Sequence, residues 1–250
     1  MPRSDIACEL IPPLNRTWRG KITRCDVCVD RALSEKTGKP PGLYVTVESR
    51  AAAEGDRKIY PRISEAIAEV LREMAPSCVS ALTVGLGNKL LTADALGCLT
   101  LEKLIVTAGK REGIRALAPG VAGVTGIESY DVIKGVVDVI KPDLVIAVDS
   151  LCAAKASRIA SSFQISDAGI TPGSGVKNAR RPLNEQTLGT RVISVGVPMV
   201  VYASAILAEG GGEIGDGEDM VVTPKDVDIM VEDCASIIAG AINAYGAGLR

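Results

Sequence analysis

Short apolar runs alternate with segments of helical periodicity, and this alternation limits the possible folds more than any other feature of the chain. Apolar residues recur at helical spacing over Arg57–Met74, Asp94–Val106 and Ser129–Ile140. Strands that alternate with helices predict an α/β fold with a mainly parallel sheet, because each parallel strand needs a crossover to reach the next one. The predicted strands are Gly42–Ser49, Cys78–Leu86, Asp143–Asp149, Ser162–Ser166 and Arg191–Val197.

The remaining segments complete a single predicted domain over residues 6–250. Residues 1–41 read as irregular, and short helices are predicted over Ala153–Ala160 and Pro198–Leu207. The glycine-rich acidic stretch Glu209–Asp219 has the composition of a flexible linker. A long amphipathic helix is predicted over 223–245, with Thr223 as its N-cap and Asp226 in a capping-box position.

The chain contains no histidine among its 250 residues. This excludes Ser-His-Asp and Cys-His catalysis in their usual forms, and it excludes histidine-ligated zinc. A general base in this protein must therefore be a carboxylate, lysine, tyrosine, cysteine or water.

The charge and hydropathy of the chain limit the classes of partner that it can bind. The chain has 28 basic and 30 acidic residues, a net charge of −2, and no broad basic field to attract nucleic acid. No apolar run is long enough to span a bilayer, and the N-terminal residues lack the apolar core of a signal peptide. We expect a cytoplasmic protein with no nucleic-acid or membrane partner.

Seven cysteines are scattered along the chain, and their odd number predicts free thiols in a reducing compartment. Cys25 and Cys28 form a lone CxxC. A zinc site of this type needs a second such pair, which the sequence lacks, so the incidental interpretation is favoured over a metal or redox role.

Two aspartates follow predicted buried strands, where open α/β sheets bind their ligands. Asp149 ends the apolar run 143–149, and Asp94 follows the run 78–86. Each has a plain alternative as a cap of the next helix. If both face one crevice they share a proton, so that one activates water while the other polarises a carbonyl or protonates an amine.

Two glycine-rich segments are candidate substrate-binding loops. Gly87 and Asn88 lie in a tight turn after a strand, in a sequence that lacks the third glycine of a dinucleotide fingerprint. The segment 169–175 is dense enough in glycine to present backbone N–H groups to a peptide, although a plain surface loop is the alternative. Its candidate residues are Gly169, Gly173, Ser174 and Gly175, and the basic residues Lys177, Arg180 and Arg181 follow it.

Several longer segments of the sequence resemble those of a known protein family. They include VGLGNKLLTADALG at 84–97 and KPDLVIAVDSLCAAKASRI at 141–159, and they continue over 118–137, 164–183, 187–201 and 220–244. Together they cover more than half of the chain, in family order. The chain resembles the germination protease family of spore-forming bacteria.

The resemblance implies an atypical aspartic endopeptidase that degrades small acid-soluble spore proteins during germination. The family's proposed catalytic carboxylates correspond to Asp94 and Asp149 of this chain. The implied fold is a doubly wound α/β architecture similar to the endopeptidases that mature nickel hydrogenases. Those relatives use a histidine for nickel, so no metal or other cofactor is expected here. The family forms tetramers, which implies a homo-oligomer.

The resemblance also implies a zymogen that removes its own N-terminal propeptide. The segment Ser4-Asp5-Ile6-Ala7-Cys8-Glu9 fits the family's cleavage pattern of an acidic residue, an apolar residue and alanine. The implied cut lies between Asp5 and Ile6, which leaves a short propeptide of residues 1–5. An anionic arm of this kind can block a substrate groove, whereas a disordered tail is the alternative.

Three features depart from the family: the propeptide is short, a long insertion is reduced to the stretch 209–219, and residues 10–41 match poorly. Two other functions therefore remain open at this stage. One is a peptidase that needs a metal at the same two carboxylates, and the other is a protein that binds spore proteins without cutting them.

Overall fold

The computed structural model describes residues 4–109, 112–176, 178–212 and 220–249. Its strands are β1 Asn15–Arg19, β2 Ile22–Val29, β3 Gly42–Glu48, β4 Ser80–Gly85, β5 Gly113–Leu117, β6 Leu144–Ala153, β7 Ser162–Ser166, β8 Arg191–Tyr202 and β9 Val221–Val222. Its α-helices are α1 Ala7–Leu10, α2 Arg31–Thr37, α3 Arg50–Ala53, α4 Tyr60–Met74, α5 Leu96–Glu102, α6 Ala122–Thr125, α7 Ser129–Ile140, α8 Glu185–Leu188, α9 Ala203–Glu209 and α10 Val227–Gly246.

The strands form one sheet in the order β1-β2-β3-β7-β8-β6-β4-β5, with β9 added beside β8. The predicted parallel pairing is confirmed for β8, β6, β4 and β5. The other half of the sheet is antiparallel, because β1, β2, β3 and β7 pair in that sense and β7 joins β8 antiparallel. The sheet is therefore mixed.

Helices cover both faces of the sheet, as expected of a doubly wound α/β fold. On one face α4, α5 and α10 pack against the largest buried cluster, which includes Ile67, Leu96 and Ile238. On the other face α7 packs through Tyr130 and Ile133 against a second cluster. The α/β class predicted from the sequence is confirmed.

The prediction that residues 1–41 are irregular is wrong. The described part of this range, residues 4–41, contains α1, the β1–β2 hairpin and α2. All five residues of β1 are exposed. The strand therefore has no buried face, and its sequence lacks the alternation of apolar and polar residues that would predict a strand. Gly20, with φ of +67°, makes the turn of the hairpin.

Several predicted boundaries are also corrected. Strands β6 and β8 extend to Ala153 and Tyr202, so the helix predicted over 153–160 is reduced to a 3-10 turn, Ala156–Arg158, and α9 begins later than expected. Helix α10 begins at Val227, later than predicted. Asp226 takes the N-cap position and makes no capping hydrogen bond, so there is no capping box, and the hydroxyl of Thr223 donates to the Met199 carbonyl at 2.8 Å. Of the predicted linker, residues 213–219 lie outside the described residues, as do residues 1–3 of the predicted propeptide.

One topological detail positions the functional site. The pairing of β6 with β4 ends at Val148 opposite Gly85, whereas the pairing of β6 with β8 continues to Ala153. The last residues of β6 therefore have one edge that β4 does not cover.

No helix in the described part of the chain is long and apolar enough to cross a membrane.

Candidate active site

A cleft of about 1020 Å³ is lined by residues of β6, β7 and β8 and by the turn that follows β4. Both predicted carboxylates, Asp94 and Asp149, line it. This is the location that the strand-end argument predicts for ligand binding in an α/β sheet.

Asp149 lies inside β6, opposite Gly196 of β8 and one residue beyond the last pair with β4. Its side chain does not cap a helix, which excludes the alternative interpretation of Asp149 as a helix cap. The residue is only 6% exposed. Burial raises the pKa of Asp149 well above the ordinary range, and the charges of Asp94 and Asp5 raise it further. The Ser150 N–H, which donates to Asp149 Oδ1 at 2.9 Å, acts in the opposite direction.

Asp94 lies at the end of a 3-10 turn, Thr92–Asp94, directly before α5. It makes no capping hydrogen bond to α5, so this alternative is excluded too. Its Oδ2 instead accepts the Asn88 N–H at 2.7 Å. Burial raises the pKa of Asp94, and the Asn88 N–H opposes that rise.

Gly87 makes this arrangement possible. Its φ is +93°, and a Cβ at this position would overlap the backbone carbonyl of Asp94. Any larger residue would force apart the two turns that bring Asn88 to the Asp94 carboxylate. Gly87 and Asn88, which the sequence predicts as substrate-binding residues, both line the cleft, and the structure gives them the further task of holding Asp94.

The N-terminal segment occupies the cleft next to Asp149. The Asp5 N–H donates to the Cys152 carbonyl at 2.8 Å, and the Cys152 N–H donates to Asp5 Oδ2 at 2.9 Å. Asp5 therefore adds to the edge of β6 that β4 leaves uncovered. The next residue, Ile6, is fully buried.

Gln164, which sequence reasoning missed, holds the backbone on both sides of the Asp5–Ile6 bond. Its Nε2 donates to the Asp5 carbonyl at 2.8 Å, and its Oε1 accepts the Ala7 N–H at 2.7 Å. It lies on β7, where its side chain is buried at the floor of the cleft. Three of the five residues of β7 are polar (SFQIS), so no pattern in the sequence distinguishes Gln164 from its neighbours.

The glycine-rich loop borders the cleft as predicted. Gly169, Gly173, Ser174 and Gly175 all line it, and Ser174 Oγ donates to Asp5 Oδ1 at 3.4 Å. A Cβ on Gly175 would overlap the Asp5 carboxylate.

The basic residues that follow this loop have other partners. Arg180 pairs with Glu128 at 3.2 Å, and the Arg181 guanidinium stacks on Tyr130 at 3.8 Å from the ring centroid. Lys177 lies outside the described residues. The cations close to the N-terminal acids are Lys39, which is 4.0 Å from Asp5, and Arg158, which is 3.6 Å from Glu9. No pattern in the sequence indicates either of them.

The two cysteines of the CxxC point to opposite sides of β2. Cys25 is buried and Cys28 is exposed, as alternation along a strand requires for residues three apart. Within the described ranges, no group of three or more Cys, Asp or Glu side chains is arranged to hold a metal ion.

Comparison with known proteins identifies the family. The profile of peptidase family A25, germination protease, matches residues 15–210. The chain belongs to the germination protease family. This membership makes it a protease of spore germination, and the cleft that holds Asp94 and Asp149 is its candidate active site.

Individual germination proteases match most of the chain. The protein of Bacillus cereus (strain ATCC 10987 / NRS 248) is 34% identical, and the match covers 89% of this chain and 83% of the relative. The protein of Clostridium perfringens (strain ATCC 13124) is 36% identical with the same coverage. The alignment with the Bacillus cereus protein spans 305 positions, more than the 250 residues of this chain, so the relative has segments that are absent here.

Among solved structures, the [NiFe] hydrogenase maturation protease HycI from Thermococcus kodakarensis KOD1 is similar to this chain, with a TM-score of 0.44 and 22% sequence identity. The similarity covers 69% of this chain and 98% of HycI.

Proposed function

We propose that the protein is an endopeptidase that cuts small acid-soluble spore proteins after an acidic residue, with Asp94 and Asp149 as its catalytic pair. The observation that carries this proposal is that both carboxylates line one cleft, with Asp149 buried, and that Asp5 of the chain's own N-terminal segment lines the same cleft.

The two carboxylates have different proton affinities, which suits different roles. Asp149 is the more deeply buried and has the more strongly raised pKa, so it is the member that keeps a proton. Asp94 is less deeply buried and its pKa is raised less, so it is the member that ionises first. Asp94 then removes a proton from water as the water oxygen attacks the peptide carbon. Asp149 donates its proton to the carbonyl oxygen as the tetrahedral intermediate forms. Asp94 then passes the proton it took from water to the leaving nitrogen, the carbon–nitrogen bond breaks, and the hydroxyl proton of the intermediate returns to Asp149 as the carbonyl reforms.

The same chemistry applied to the chain's own N-terminus is the proposed activation step. The bond between Asp5 and Ile6 lies where Gln164 binds the Asp5 carbonyl, and the Asp5 charge is close enough to raise the Asp149 pKa. While this bond is intact, the segment fills part of the cleft and excludes other peptides. Hydrolysis releases residues 1–5 and leaves Ile6 as the new N-terminus.

The remaining proposals follow family membership. We propose a spore cytoplasmic location, where the substrates are found, and a homotetrameric assembly. Neither the reaction nor the activation step described above requires a cofactor.

The test is to mix the purified protein with a small acid-soluble spore protein and follow intact masses over time. The expected result is a cut after an acidic residue. Asp94→Asn and Asp149→Asn should each slow it by about 10²–10⁴-fold, the usual contribution of a general acid or base.

Asp131→Asn is the matched control, because Asp131 is an exposed carboxylate on α7 outside the cleft. It should cut at the wild-type rate. Wild-type rates in Asp94→Asn or Asp149→Asn would remove that residue from the mechanism. Stoichiometric binding of the spore protein without a cut at any pH would favour the non-catalytic alternative.

A further inference from the structure

The carboxylate of Asp5 lies in a pocket whose groups all suit a negative charge. Its Oδ2 accepts the Cys152 N–H at 2.9 Å, and its Oδ1 accepts the Ser174 hydroxyl at 3.4 Å. Lys39 Nζ is 4.0 Å from Oδ1. The ammonium, the hydroxyl and the backbone N–H converge on one carboxylate, which is the donor set of an anion site.

Lys39 indicates that the pocket is built for an acid. Its side chain is only 13% exposed, and burial lowers its pKa, whereas the charges of Asp5 and Glu9 act in the opposite direction. A lysine in such a position is costly unless an anion accompanies it. Asp5 is the anion present in the intact chain, and it leaves with residues 1–5 once the bond to Ile6 is cut.

Glu9 fixes the register of the segment in this pocket. Its Oε2 accepts the Ala154 N–H at 2.7 Å and also contacts the Ser4 hydroxyl, and its side chain is 2% exposed. Arg158 approaches its other oxygen at 3.6 Å. Cys152 is in β6 and Ala154 directly follows that strand. Asp5 precedes α1 and Glu9 lies within it, and the two carboxylates accept the N–H groups of Cys152 and Ala154 respectively.

We propose that Lys39, Ser174 and the Cys152 N–H form the specificity pocket for the acidic residue that precedes the scissile bond, with Asp5 as its resident occupant until self-cleavage. This inference rests on the proposed function, because it names the groups that select the substrate residue at that same site. Lys39 is the charged determinant. Arg158 and the Ala154 N–H anchor Glu9 and keep the bond in register.

The binding part of the proposal is tested without catalysis, by hydrogen–deuterium exchange of the full chain carrying Asp149→Asn. In this background, Lys39→Met should speed exchange of residues 4–11 about tenfold or more, because the Asp5 carboxylate loses its buried cation. Asp5→Asn should have a similar effect. The double variant should exchange no faster than the faster of the two single variants, because both remove one interaction.

Lys36→Met and Arg180→Met are the controls, since both residues line the same cleft without contacting Asp5 in the structure. They should leave exchange unchanged. Because Asp5→Asn changes only the occupant, it keeps the test decisive even if Lys39→Met unfolds. Unchanged exchange in Asp5→Asn, or in a folded Lys39→Met, would overturn the proposal.

Selectivity is tested on peptides with the catalytic pair intact. A peptide of residues 4–11, Ser-Asp-Ile-Ala-Cys-Glu-Leu-Ile, is compared with one that has asparagine in place of the aspartate. The acidic peptide should be cut at least about tenfold faster by the wild type, and Lys39→Met should remove most of that preference. Equal cutting of the two peptides by the wild type would contradict the selective role. If the wild type cuts neither peptide while the exchange effects are present, the proposed function fails but the acid pocket is supported.

Discussion

Gln164 Nε2 donates a 2.8 Å hydrogen bond to the carbonyl oxygen of Asp5, the carbonyl of the bond that we propose the protein cuts. The same amide accepts the Ala7 N–H at 2.7 Å, so one side chain fixes the backbone on both sides of Ile6. Under the proposed function, these two contacts hold the Asp5–Ile6 bond in the way that the bond of a substrate is held.

Replacing Gln164 with methionine, which has a similar volume and no amide, should slow self-cleavage by about 10²-fold. This is the usual cost of losing one positioned donor to a reacting carbonyl. Intact mass against time measures the rate, and circular dichroism checks that the variant is folded. Cleavage of the folded variant at the wild-type rate would show that the Gln164 contact has no part in the reaction.

The rate of cleavage should depend on pH as a bell-shaped curve. Activity needs Asp94 ionised, so it falls as pH drops through the Asp94 pKa; it needs Asp149 protonated, so it falls again as pH rises through the Asp149 pKa. Because burial raises both values, the whole curve should lie above the ordinary carboxylate range. Single-turnover rates of self-cleavage across pH measure it. A rate that only rises with pH would exclude a protonated Asp149 as the acid.

Stability should also depend on Asp149. Its pKa is raised in the folded protein, so its contribution to the free energy of unfolding is favourable below the ordinary carboxyl pKa and is lost as pH rises through the raised value. Asp149→Asn cannot ionise, so the variant should gain stability relative to the wild type as pH rises from the ordinary carboxyl pKa of about 4 toward the raised Asp149 pKa. Urea unfolding at several pH values measures the difference. A constant difference across this range would contradict the raised pKa.

Gly87→Ala should be among the more damaging single changes at the cleft. The added methyl group overlaps the Asp94 carbonyl, and the φ of +93° is unfavourable for alanine, so we expect a loss of about 2–3 kcal/mol with slower cleavage. Gly189→Ala is the matched control, because Gly189 also has a positive φ, of +75°, but has no atom within 4 Å of the added carbon. Denaturant unfolding compares the two. Equal losses would show that the contact with Asp94 is unimportant.

The cysteines of the CxxC should differ in reactivity. In the folded protein, Cys28 should be alkylated rapidly and Cys25 only on unfolding, because the first is exposed and the second is buried. Peptide mapping after brief treatment with iodoacetamide distinguishes them. Equal labelling of the two cysteines, or protection of both by an added metal, would favour a metal or redox role for the pair.

Local patterns were sufficient for much of the fold. Helix α7 and strand β7 have the bounds that periodicity predicts, because each buries one continuous apolar face. The β1–β2 hairpin was missed because β1 is exposed along its whole length. The extension of β6 to Ala153 was missed because it depends on pairing with β8, about 48 residues away in the chain, and local propensity contains no such information.

For the candidate site too, some residues could be predicted from the sequence and others could not. Asp94 and Asp149 could be predicted because both follow apolar runs, and strand ends converge at one edge of a sheet. Lys39 and Gln164 could not, since their relevance comes from contacts with Asp5, which is 159 residues from Gln164 along the chain. Nothing near either residue in the sequence indicates that the N-terminus folds back over β6.

The central claim is tested most directly by the intact mass of the purified protein over time, with Asp94→Asn and Asp149→Asn prepared in parallel. The account predicts that the wild type loses residues 1–5 through one cut between Asp5 and Ile6, while both variants keep their full mass. Loss of the same five residues from either variant at the wild-type rate would contradict the two-aspartate mechanism.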